Sequence, residues 1–142
     1  MAALPPQPLG SDWRDWPLTP GSWRYETGQS AATFGTGANG YVLRIACDIR
    51  QRQVTLATAG KSGWPQLTIR TSTAIRTAPS INMPHLDAAP DATRDIQLPA
   101  SDPLLDAMAF SRGHFTIEEV GKPPLVIPAH PEIGRVIEDC RG

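Results

Sequence analysis

The chain has 142 residues, 13 basic against 14 acidic side chains and a formal net charge of -1, with 40% hydrophobic and 19% charged residues. That length fits one domain with a single hydrophobic core. The near-neutral balance, with neither sign gathered into a block, leaves no electrostatic footprint for nucleic acid or an anionic membrane surface. No run reaches the roughly 18 to 20 apolar residues of a transmembrane helix, so the chain as given reads as soluble.

Fifteen prolines and 12 glycines cut the sequence into short pieces, which disfavours long helices and fits turns between strands. Met1 to Gly10, MAALPPQPLG, resembles the irregular start of a mature protein, and an export signal removed upstream fits it. Residues 1–20 form an irregular, extended N-terminal arm, and residues 21–142 a single β-rich domain. Gly21 to Glu26 alternates Trp23 and Tyr25 against Arg24 and Glu26, the pattern of a half-buried strand. Ala31 to Phe34 gives a second strand, and Asn39-Gly40 in GTGANG a hairpin turn. Tyr41 to Arg50 and Gln53 to Thr58 make the clearest strand pair, with Tyr41, Leu43, Ile45 and Cys47 on one face.

Gln66 to Thr71 is predicted as a strand after the turn KSGWP, with Ala74 to Thr77 extending the sheet. Pro79 to Thr93 reads as the longest loop and Asp95 to Leu98 as a short strand. A helix is predicted over about 102–112: Ser101 or Asp102 caps it, Pro103 takes the first position and Leu104, Leu105 and Met108 line one face. His114 to Glu119 and Leu125 to Ile127 read as a hairpin. A second helix is predicted over 131–141, with Ile133, Val136, Ile137 and Cys140 on one stripe. The expected fold is mainly β, an antiparallel sandwich or partly open barrel with two short helices.

Cys47 and Cys140 are the two cysteines of the chain. Both lie on apolar stripes that must face one core, so a Cys47–Cys140 disulfide is expected. Such a bond places the protein in an oxidising compartment, periplasmic or secreted.

Candidate chemistry is thin. His85, His114 and His130 lack a second ligand at finger or helical spacing, so no metal site is indicated. GTGANG lacks the Lys-Ser/Thr of a P-loop, and no cofactor is indicated. Ser111 with His114 is the one nucleophile-base pairing close in sequence, but Ser111 has no flanking glycines and closes a helix instead. Glu118 and Glu119 point to opposite faces of a strand and read as solvated surface. Glu132 and Arg135, and Arg135 and Asp139, have the spacing of local ion pairs on a helix. Trp13, Trp16 and Trp64 are candidates for an aromatic surface that binds a glycan or a protein, with packing of the arm as the alternative.

The C-terminal third, DPLLDAMAFSRGHFTIEEVGKPPLVIPAHPEIGRVIEDCRG, together with DWPLTPGSWRY and the strand ending in Cys47, resembles a group of uncharacterised proteobacterial exported envelope proteins. More distantly, the strand-rich plan with a central cysteine and a late apolar helix is similar to the invasion-associated locus B family, which implies a β-sandwich. Neither resemblance supplies a catalytic residue. The expected function is a non-catalytic, exported binding or envelope-associated module of unknown ligand. The alternatives are a periplasmic inhibitor of a cell-wall hydrolase, similar in outline to lysozyme inhibitors, and a hydrolase using Ser111 and His114.

Overall fold

The computed structural model describes residues 12–37, 40–61 and 64–142. The expectations placed on Met1 to Gly10, on Asn39 and on the middle of KSGWP lie outside the described residues.

Ten strands build two antiparallel sheets. The larger has β1 (Ser22–Glu26), β2 (Ala31–Gly37), β3 (Gly40–Asp48), β4 (Gln53–Ala59), β8 (Ala92–Pro99) and β7 (Ile81–Pro84), in that spatial order. The smaller runs β10 (Leu125–Pro128), β9 (His114–Glu118), β5 (Gln66–Arg70) and β6 (Ile75–Pro79). Neither sheet closes on itself, so the architecture is an antiparallel sandwich, not a barrel.

Alternation dictates which face is inner. In the larger sheet the register aligns Trp23, Phe34 and Leu43, then Ala32, Ile45, Leu56 and Ile96, then Cys47, Val54 and Leu98. In the smaller sheet it aligns Leu125, Ile117 and Ile69, and next to them Ile127 and Phe115. These two apolar faces merge into one buried cluster. Helix α1 (Pro103–Ala109) buries Leu104, Leu105 and Met108. Helix α2 (Pro131–Arg141) buries Ile133, Val136, Ile137 and Cys140, the predicted stripe. It packs on β1 to β4 of the larger sheet, and α1 packs on α2.

The disulfide joins β3 to the last turn of α2, with Cys47 and Cys140 Cα atoms 5.4 Å apart and no free cysteine. Two side-chain contacts hold the same helix to β1. The Tyr25 hydroxyl donates to Asp139 at 2.6 Å, and the Arg135 guanidinium stacks on the Tyr25 ring, 3.8 Å from its centre. Arg135 therefore serves a tertiary contact and not the local ion pairs its spacing implied.

Four further expectations change. Tyr41 does not share the face of Cys47: the register passes from Phe34 opposite Leu43 to Gly35 opposite Tyr41, leaving Val42 as a bulge residue that packs on the core. Tyr41 instead lines an outer cleft with Arg24, Thr33 and Glu26. The 79–93 stretch is not one loop, because it contains edge strand β7 and the start of β8; all four β7 residues are exposed, so no alternation marked it. The short strand over 95–98 is eight residues long, hydrogen-bonded to β4 on one side and β7 on the other. Helix α1 stops at Ala109, with Phe110 as its cap, short of the expected residue 112.

The exposed side of β10 is covered by the arm. Thr19 N–H donates to the Val126 carbonyl at 2.9 Å, and Val126 N–H donates to Thr19 Oγ1 at 2.8 Å. A sheet edge is thereby closed to other strands, and one wall of a groove is formed.

Candidate functional site

Strand parity places two charges inside the sandwich. Arg94 on β8 is level with Thr58 of β4 on the inner face, and Glu119, the first residue after β9, keeps the inward direction of Ile117. The two side chains meet across the gap between the sheets as an ion pair, 7% and 6% exposed. Arg94 Nη2 also donates to the Ala59 carbonyl at 3.2 Å, while its Nε is buried without a hydrogen-bond partner. Lys122, on the loop from β9 to β10, brings its Nζ to 3.4 Å from the second Glu119 oxygen and donates to the Lys61 carbonyl at 2.6 Å. Burial disfavours the charged form of both cations, and the Arg94 charge pushes Lys122 further down from its ordinary pKa. Glu119 is thus not the solvated residue its sequence implied; Glu118 points the other way, onto Arg70 at 3.0 Å.

Above this pair lies a groove of about 760 Å³, in the range of small-molecule sites. The arm forms one wall with Pro17, Leu18 and Pro20, and the loop into β10 forms the other with Pro123, Pro124 and Leu125. Leu67 and Ile117 add apolar surface from the smaller sheet. Prolines lose little conformational freedom on forming such walls and offer no backbone N–H, so the groove is stiff and poor in donors. Polar character is concentrated at Arg94, Glu119 and Lys122.

Of the expected aromatic surface, Trp13 and Trp64 lie at opposite ends of β5. Trp13 borders a separate open groove of about 920 Å³ at the C-terminal end of β5, beside Arg14, Arg70 and Arg112. Its ring meets His114 edge-on at 5.1 Å. Trp64 precedes β5 at the opposite end of that strand and is 48% exposed. Trp16 is half-buried in the arm. Two of the three guanidiniums in the Trp13 groove are already matched, Arg14 by Asp12 and Arg70 by Glu118.

Ser111 and His114 do not form a nucleophile and base. The Ser111 hydroxyl donates to the His114 backbone carbonyl at 2.7 Å and accepts from Ser72 N–H at 3.0 Å, so it locks the β5–β6 turn to the end of α1. The His114 ring turns away, its Nε2 lying 3.2 Å from the Trp13 carbonyl.

The apolar groove escaped the sequence because its two walls are a hundred residues apart and prolines carry no periodic signal. Comparison of the chain with protein-family models, with curated proteins and with solved structures gives no match. Fold and site geometry alone therefore carry the functional argument.

Proposed function

We propose that this protein is a non-catalytic binding module of an oxidising compartment outside the cytoplasm, exported and envelope-associated, with the groove between the arm and β10 as its binding site. The observation that carries this reading is the groove itself: a stiff apolar cleft with a few charged groups converging at its floor, the usual build of a ligand site. The Cys47–Cys140 bond supports the compartment, since such a bond persists where thiols are not kept reduced. A β-sandwich locked by a disulfide and by a covered edge suits a module that meets its ligand without reshaping.

The test is site-specific photo-crosslinking in the exported protein. Leu18, on the groove wall and 55% exposed, carries the reactive side chain in one variant; Ile49, 54% exposed in the β3–β4 turn, carries it in the control. A discrete adduct at Leu18 and none at Ile49 is expected. The same adduct pattern at both positions, or none at either, overturns the reading.

A further inference from the structure

The groove has a charge imbalance that selects among ligands. Of its described lining residues only Arg94, Glu119 and Lys122 are charged, two cations facing one carboxylate. Arg94 and Lys122 share the single Glu119 carboxylate, one on each oxygen, so the floor carries one positive charge in excess, and Lys122 is the more exposed of the two cations. An ammonium has three donors; the Lys61 carbonyl and Glu119 take two. Among the described residues these are its acceptors, and the third donor is open to an outside one. A surplus positive charge at the edge of apolar walls attracts an anion more than one in open water does, because Coulomb interactions strengthen as the local dielectric falls.

The walls set the rest of the ligand. They offer methylene and ring carbons from Pro17, Leu18, Pro20, Pro124 and Leu125, and the two backbone groups of Val126 that face the arm are taken by Thr19. An extended peptide would find no free ladder there. A flexible apolar chain needs none.

Resting on the binding-module reading, we propose that the groove binds small amphipathic monocarboxylates, with the apolar chain between the proline walls and the carboxylate against Lys122.

Isothermal titration of the intact, disulfide-bonded protein with dodecanoate, dodecanol and dodecyltrimethylammonium, each below its micelle concentration, tests this. Dodecanoate binds with one-to-one stoichiometry, dodecanol about tenfold or more weakly, and the cation not at all. Amide chemical shifts move at Leu125 and Lys122. Lys122→Gln, a change at a side chain 42% exposed that the fold tolerates, lowers dodecanoate affinity about tenfold and leaves dodecanol unchanged. Equal affinity for dodecanoate and dodecanol overturns the ligand class but keeps the groove as a binding site. Absence of binding by all three, or shifts confined to other residues, overturns the inference, while crosslinking at Leu18 separately decides whether the groove binds anything.

Discussion

Arg94 and Glu119 oppose each other across the two sheets of the sandwich, the first on β8 and the second just beyond β9, both with side chains under a tenth exposed. They are the one ion pair among the described residues in which neither side chain reaches a tenth exposure. Its desolvation is expensive, so the pair adds little net stability compared with apolar residues of similar size, but removing one member strands a buried charge.

Glu119→Leu, which strands Arg94, is therefore expected to destabilise the fold by about 3 to 5 kcal/mol, and Arg94→Met by less, because Lys122 stays beside Glu119. The double variant recovers most of that loss, because the charge that remains, on Lys122, is 42% exposed and reaches water. Urea unfolding of the four proteins closes the cycle. Losses that simply add would show that the two residues act independently.

The disulfide closes a loop with a sequence separation of 93 between β3 and α2. By the chain-entropy model such a closure is worth about 4 to 5 kcal/mol. The Cys47→Ala/Cys140→Ala double variant is expected to melt roughly 10 to 20 °C lower. Thiol titration of the denatured, unreduced protein is expected to detect no thiol, and to find both after reduction. Two thiols before reduction would remove the compartment argument.

How much of this was legible in the chain differs element by element. The stripe Ile133, Val136, Ile137 and Cys140 repeats at helical spacing and faces the core as read, and the alternation of Leu43, Ile45 and Cys47 fixed the inner face of β3. Only the second half of β8 shows a strand pattern, because Thr93 and Arg94, both buried, look like solvent-facing residues. Only tertiary partners make them tolerable: His85 and Asp95 for the Thr93 hydroxyl, Glu119 for Arg94. The proline-walled groove depends on Thr19 meeting Val126, a pairing 107 residues apart that no local pattern encodes. Aromatic content says nothing of position, and Trp13 and Trp64 stand at opposite ends of β5.

Acid stability offers a test of α1. Burial alone raises the Asp102 carboxyl, but its bonds to Arg76 at 2.6 Å and Leu104 N–H at 2.8 Å more than offset this and hold it below its ordinary value. A depressed folded pKa gives stability that is present above the unfolded value of about 3.9 and lost as pH falls through the folded one. Asp102→Asn keeps the cap acceptor and loses the charge, so it is expected to be about 1 kcal/mol less stable than the parent near neutrality. The difference vanishes at acid pH, below both values. Denaturant midpoints between roughly pH 2 and 6 measure the convergence, and a constant offset would contradict it.

The arm's grip on β10 rests on Thr19, which both donates to and accepts from Val126. Thr19→Val keeps the shape and the backbone bond but removes the Oγ1 acceptor at 2.8 Å, leaving the Val126 N–H to water or to nothing. A lost neutral hydrogen bond is worth about 1 kcal/mol. Hydrogen exchange at the Val126 amide is therefore expected to quicken about fivefold, while exchange at Leu56 in the centre of β4 is unchanged because the core does not depend on the arm. Because the arm is also one wall of the groove, dodecanoate affinity falls with it. Unaltered Val126 protection would mean that the edge is held by something other than Thr19, and the wall's position would need a different cause.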